Sequence, residues 1–292
     1  MKVRKLSVSR AVMYVSIAVY SALCLLPMLL VLMISITDED AILRNGYSLF
    51  PEKFSLYAYQ VIFTGGSQVM RSYLISIFVT LAGTIAAVLI TAMAGYTLAN
   101  KSVRYRNGLA LYFFITMIFS AGIVPWYLMN RSLGLTNNIL ALIIPSLLFS
   151  PFNLFLVRNF MGGVPDSLRE SATIDGANDL AIAFRIYFPL STPVLATIAL
   201  FYGLDYWNNW WNAIMLIDDK SLYPLQFMLL RLKSEISMLN EMTMLAGADD
   251  VTLPAESVKM ATAVVTIGPI VFFYPYLQKY FVKGLVIGSV KG

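Results

Sequence analysis

Arg169–Leu190 reads RESATIDGANDLAIAFRIYFPL, a polar interruption between long hydrophobic runs. Pro165, just before it, suits the first turn of a helix because it has no N–H to leave unpaired there. Asp166 and Glu170 add negative charge near the positive end of that helix. Gly176 can take the left-handed conformation that ends a helix, and Asn178 or Asp179 can cap the next one with a side-chain oxygen. The segment predicts helix, sharp turn, helix. In the second helix Leu180, Phe184, Tyr187 and Phe188 fall at i, i+4, i+7 and i+8, one apolar face, and Pro189 marks a boundary before the next hydrophobic run. That face needs a partner. Two readings supply one: a helix pair lying on lipid headgroups, or a docking element pressed against a soluble subunit.

Outward from this segment the chain is strongly apolar. Of its 292 residues 59% are hydrophobic and 13% charged, against roughly a quarter charged in soluble proteins. The expectation is an all-α polytopic membrane protein with six spans, at about 11–36, 72–98, 109–129, 139–157, 192–217 and 260–282. With the N-terminus inside, 13 Lys and Arg fall on the cytoplasmic side and eight outside, while four acids fall inside and eleven outside. This basic bias and the even span count both place the two termini in the cytoplasm. The chain then reads as one transmembrane domain, 1–292. Its cytoplasmic parts are 1–10, the loop 160–190 and the tail 284–292, and its extracytoplasmic loop is 218–257, with helix expected around Leu225 to Leu245.

Several chemistries are excluded or disfavoured. With no histidine, His-based acid–base catalysis, Ser-His and Cys-His nucleophiles and most zinc sites are absent. The single Cys24 cannot form an intramolecular disulfide, and no GxxxxGK[ST] phosphate loop is present. No catalytic or metal site is expected. The net charge of +5 does not indicate nucleic acid, because the basic residues sit beside hydrophobic spans rather than in a run interleaved with aromatics.

Two spans carry internal patterns. Gly83, Ala87, Thr91 and Gly95 form a stripe of small side chains suited to close helix packing. In the fifth span Asp205, Asn208, Asn209 and Asn212 fall within an arc of about 100°, a polar stripe on one helix face. A carboxylate there would cost several kcal/mol facing lipid, so Asp205 is expected to face a cavity or a partner. A water-filled pathway meets that requirement, its amides and carboxylate offering hydrogen-bond donors and acceptors to a polar solute. The amides could equally bond to neighbouring helices, and Trp207, Trp210 and Trp211 could form an interfacial aromatic belt.

Glu170, Ser171, Ala172, Gly176, Ile186 and Pro189 keep the spacing of the EAA loop: Glu-Ala-Ala, three residues, Gly, nine residues, Ile, any residue, Leu-Pro. Ser171 replaces Ala and Phe188 replaces Leu. With the Trp-Asn-rich fifth span, Pro254–Met260 before the sixth and the ending Gly-Ser-Val-Lys-Gly, the chain resembles the type I ABC importer permeases of the carbohydrate uptake class. Specifically it resembles the smaller permease of the maltose-transporter type, in a branch associated with uronate-rich oligosaccharides such as alginate or pectin fragments. The resemblance implies a bacterial inner-membrane importer with a homologous second permease, two ATPase subunits that hold ATP and Mg, and an extracytoplasmic sugar-binding protein. Glu170, Ser171, Ala172, Gly176, Ile186 and Pro189 would couple to an ATPase, and the tail around Val290 and Lys291 would reach the ATPase pair. The alternative is an ion-gradient-driven secondary transporter with Asp205 as its coupling carboxylate; no internal repeat supports it.

Overall fold

The computed structural model describes residues 8–64, 67–245, 255–268 and 271, and the described part is helical. In chain order the helices are α1 Val8–Ser35, α2 Glu39–Asn45, α3 Tyr57–Thr64, α4 Ser67–Ala99, α5 Arg106–Ile118, α6 Ile123–Ser132, α7 Leu140–Ile143, α8 Pro151–Met161 and α9 Asp166–Ile174. After a sharp turn come α10 Asp179–Ile182, a wide π-helical turn Ala183–Tyr187, α11 Phe188–Leu190, α12 Thr192–Trp207, α13 Trp211–Leu216, α14 Leu225–Leu245 and α15, 255–268. The sixth span expected at 260–282 is described only up to 268, apart from residue 271. Lys279, Lys283, Val290, Lys291 and the rest of the tail lie outside the described residues.

Among the described residues two helices are long and apolar enough to cross a membrane alone. They are 12–35, with mean hydropathy 2.6, and 68–99, with mean hydropathy 2.4. Helix α1 is apolar on all faces, and its side chains from 12 to 29 are exposed, as expected of a helix solvated by lipid. The third, fourth and fifth expected spans are interrupted. Helices α5 and α6 meet at a 117° bend across 119–122, and the α10–α11 segment meets α12 at 84°. The stretch read as a fourth span is split at 144–150, and the fifth at 208–210. Helix breakers explain part of this. Gly122 takes φ +85°, Pro125 stands in the first turn of α6, and Pro151 opens α8 with Ser150 accepting the Asn153 N–H at 3.4 Å.

The described chain falls into two compact units. In the unit of 1–66 and 229–269, the segment after α1 is held by a backbone bridge between Thr37 and Phe54 and a 3.0 Å ion pair of Lys53 with Asp38. There the Glu39 carboxylate accepts the N–H groups of Glu256 and Ser257, both at 2.9 Å, and the Ser257 hydroxyl at 2.6 Å. A side chain from α2 thus satisfies the open end of α15.

In the unit of 67–228 and 270–292, α4 is the central helix, packed along its length on α8 and α12. The small-residue stripe makes that approach possible. A methyl added to Gly83 would overlap the Tyr206 ring, and a Cβ at Gly95 would lie 2.5 Å from Val157 Cγ1. Ala87 is fully buried, and Thr91 Oγ1 lies 2.7 Å from the Tyr202 hydroxyl. The stripe is a packing surface, as its spacing predicts.

Candidate functional site

The polar turn folds as its residues dictate. Gly176 has φ +79°, the Ala177 N–H reaches back to Ala172 O at 2.9 Å, and Asn178 caps α10 by accepting the Ala181 N–H at 2.8 Å. No heavy atom lies within 4 Å of the place a Gly176 Cβ would occupy. Conformation alone selects glycine there. Glu170, Ser171 and Pro189 are exposed, while Ala172 and Ile186 are half-buried against the unit's core. The single apolar face expected of the second helix is divided: Tyr187 is buried, but Leu180 and Phe184 are exposed. The wide π-helical turn Ala183–Tyr187 contains both Phe184 and Tyr187 and alters the helical register there, while Phe184 stays edge-on to Phe188 at 4.8 Å.

The turn is fastened to the C-terminal end of α4 by polar contacts. Lys101 Nζ donates to Asp166 Oδ2 at 2.6 Å, and Arg169 Nη1 donates to Ser102 Oγ at 2.6 Å. Arg169 also lies 3.6 Å from the Asp179 carboxylate, which accepts the Tyr96 hydroxyl at 3.2 Å. Helix α9 itself buries no residue.

A second constellation forms where the helices break. The 119–122 and 144–150 breaks and Trp211 border an open cavity of about 650 Å³, lined by Ser120, Gly122, Trp126, Asn130, Ser146 and Trp211 among others. Trp211 also lines a second cavity of about 340 Å³ with Asp205, Asn208, Asn209, Trp210 and Leu147. Remote side chains hold the broken backbone. The Tyr202 hydroxyl accepts the Ser150 N–H at 3.0 Å, the Tyr206 hydroxyl donates to Ile143 O at 2.9 Å, and Asn212 Nδ2 donates to Pro145 O at 2.9 Å. Ser146, with φ +63°, accepts the Trp126 Nε1–H at 2.9 Å. Inside a membrane, non-helical backbone is tolerated only where protein buries it or a cavity hydrates it. Here side chains from distant helices bond the opened backbone beside the cavities.

No family model matches the chain. Over 96% of its length it is 37% identical to 96% of the polygalacturonan/rhamnogalacturonan transport system permease protein YtcP of Bacillus subtilis (strain 168). Over 93% of its length it is 38% identical to 90% of Protein LplC of the same organism. Its fold matches, with a TM-score of 0.80 and 30% identity, a crystal structure of a bacterial ABC transporter involved in the import of the acidic polysaccharide alginate; the match covers 95% of this chain and 99% of that one. The chain belongs to the ABC sugar-importer permeases. It is a multi-pass membrane protein, and membership does not favour ion-gradient coupling through Asp205.

In this permease the four residues of the polar stripe do not act alike. Asp205, Asn208 and Asn209 line the smaller cavity. Asn212 is buried to 1% exposure behind the wall, where it holds Pro145. Asn208 Oδ1 accepts from Gln226 Nε2 at 3.1 Å, and Asn209 Oδ1 accepts the Asn212 N–H at 3.1 Å, so both amides also serve structure. The tryptophans divide as well, with Trp210 and Trp211 at the cavity and Trp207 buried. Nothing in the sequence pattern marks Trp126, Ser146 or Tyr96. The available signal was Pro145 and Pro151 inside one hydrophobic run, which marks a break without identifying the side chains gathered around it.

Proposed function

We propose that this permease is a translocation subunit of an ATP-driven, binding-protein-dependent oligosaccharide importer. It works with a homologous second permease, two ATPase subunits that hold ATP and Mg, and an extracytoplasmic sugar-binding protein; this chain supplies no cofactor site. Both termini and the α9–α10 turn lie in the cytoplasm, in keeping with the basic bias of the segments assigned there. The turn docks on an ATPase, with the exposed Ile174, Leu180 and Phe184 available for contact. The names of YtcP and of the alginate transporter favour uronate-bearing oligosaccharides as cargo.

The observation that carries the pathway reading is the convergence of three helix breaks on two cavities sharing Trp211. Discontinuous helices are where membrane transporters present backbone polar groups to a substrate. Indole faces cover the apolar faces of a sugar ring, and Asp205, Asn208 and Asn209 offer hydrogen-bond partners to its hydroxyls. ATP-driven closure of the ATPases would move the docked turn and switch access to the cavities between the two sides.

Purification from native membranes in mild detergent tests this reading. The expected companions are a second permease and an ATPase in about a 1:1:2 ratio, the stoichiometry of a two-permease, two-ATPase importer. Recovery of the chain alone, or as a homo-oligomer without an ATPase, would overturn it.

A further inference from the structure

The covalent route from the α9–α10 turn into the membrane runs through α11 and α12. The contacts show another. Arg169 lies seven residues before Gly176 and Asp179 three after it, and both converge on the same end of α4. Asp179 is the shared point: its carboxylate accepts the Tyr96 hydroxyl at 3.2 Å and lies 3.6 Å from the Arg169 guanidinium. The Tyr96 ring is buried, edge-on to Tyr187 at 4.9 Å. Lys101 and Ser102, just past the end of α4, hold Asp166 and Arg169. Both arms of the turn are therefore pinned to one helix end.

Helix α4 is well placed to receive motion. One face meets α12 through Gly83 against Tyr206 and Thr91 against Tyr202, and those two tyrosines hold the backbone at Ile143 and Ser150 that shapes the 144–150 break. No residue of α9 is fully buried, and Ala172 alone of its apolar side chains packs on the core, so ordered polar contacts carry much of its attachment to α4. Such contacts can be exchanged without unpacking a core.

We propose that Tyr96, Lys101 and Arg169 form a clamp that carries movement of the docking turn into α4, and through α4 to the cavity, in parallel with the covalent route. The clamp rests on the reading of the turn as the ATPase dock. These residues are positioning residues that touch neither nucleotide nor sugar. Arg169 suits the role because its planar guanidinium can hold a hydroxyl and a carboxylate together, which a lysine ammonium does with less directional control.

The test uses the full importer complex with its ATPase subunits, a Cys24→Ser background, and two reporters. Cross-linking from Ile174→Cys to the ATPase reads docking. Maleimide labelling of Ser120→Cys in the cavity, with and without ATP, reads transmission. Tyr96→Phe and Arg169→Gln should keep the cross-link while the ATP-dependent change in labelling falls by about threefold or more, within the range by which single residues alter coupling between sites. Lys101→Asp should reduce the change too, and adding Asp166→Lys should restore it, a rescue that simple loss of folding would not give. Unchanged labelling responses in Tyr96→Phe and Arg169→Gln, with the cross-link intact, would overturn the clamp and leave the dock standing. Failure of Ile174→Cys to cross-link in the otherwise unaltered complex would remove the dock and the clamp with it.

Discussion

The polar turn around Gly176 and the helix breaks around Trp211 are built by opposite means. The turn is exposed, is shaped by residues within a few positions of one another, and is tied to α4 by ion pairs and hydroxyls. The 144–150 break is shaped by tyrosines and an asparagine 52 to 67 residues away in sequence, with their hydrogen bonds partly or wholly buried. A part held by exposed polar contacts can shift as a piece. A part held by buried long-range hydrogen bonds keeps its form. The difference suits a docking element at one place and a shaped cavity at the other.

The largest effect is expected at the turn. Gly176→Val places a β-branched residue at φ +79°, costing about 1–3 kcal/mol of backbone strain. Transport should collapse while ATP hydrolysis by the complex continues. Since no atom lies within 4 Å of the added Cβ, Gly176→Asn, which tolerates the left-handed conformation, should transport nearly as the parent does. Equal damage from valine and asparagine would show that the site requires absence of a side chain rather than a conformation.

At the breaks, Tyr202→Phe tests the opposite mode of construction. It strands the Ser150 N–H and deprives the Thr91 hydroxyl of its partner, at about 1–3 kcal/mol for an unmet buried polar group. Thermal unfolding of the detergent-solubilised protein should shift downward, and transport should fall with it. A variant as stable as the parent would mean that the 144–150 backbone does not depend on this bridge. Next in size, Asp205→Asn should alter uptake of oligosaccharides while stability stays within about 0.5 kcal/mol, the usual range for an exposed substitution. Asn212→Ala should reverse that pattern, lowering stability first, because its side chain is buried on Pro145 O and not at the cavity. Matching behaviour of the two variants would erase the distinction between wall and support.

The same contrast decides what the sequence made legible. The turn could be read because Gly176, Asn178 and the acids of the first turn act locally, and the first two spans because their apolar runs are unbroken. The α14 helix lay where Met and Leu cluster, at Leu225–Leu245. Pro125, Pro145 and Pro151 mark interruptions of their helices in the sequence, but the extent of each break is not legible there, because Ser120, Ala121 and Gly122 are small enough to pass within an apolar run and the groups that satisfy the opened backbone come from distant helices. For the same reason Asn212 shared a face with Asp205 by periodicity but has a different role: α12 ends at Trp207, and the helical period does not carry across 208–210 to α13. The clamp on α4 was equally hidden, since Tyr96 and Asp179 are 83 residues apart.

The smallest expected effect lies in the other unit and asks whether an exposed polar tie can hold a helix end as the turn is held. Glu256, at the start of α15, pairs with Lys259 at 2.6 Å and accepts a hydrogen bond from Tyr47. Lys259 and then Tyr47 hold its carboxyl below the ordinary value of 4.5 against a smaller opposing effect of burial. A depressed carboxylate contributes stability that is whole above 4.5 and is lost as pH falls through its native value. The Tyr47 phenol moves the other way, from 10.0 up to about 12, first because it donates to Glu256 and then by burial. Its contribution is whole below 10.0 and is lost as pH rises through about 12. Amide hydrogen exchange across 255–268, corrected for the intrinsic pH dependence of exchange, should show protection falling at both limits, modestly because Tyr47 is exposed. Tyr47→Phe should reduce the alkaline loss and leave the acid loss smaller but present, since the Lys259 pair remains. An alkaline loss unchanged in that variant would show that the Tyr47 tie does not secure α15.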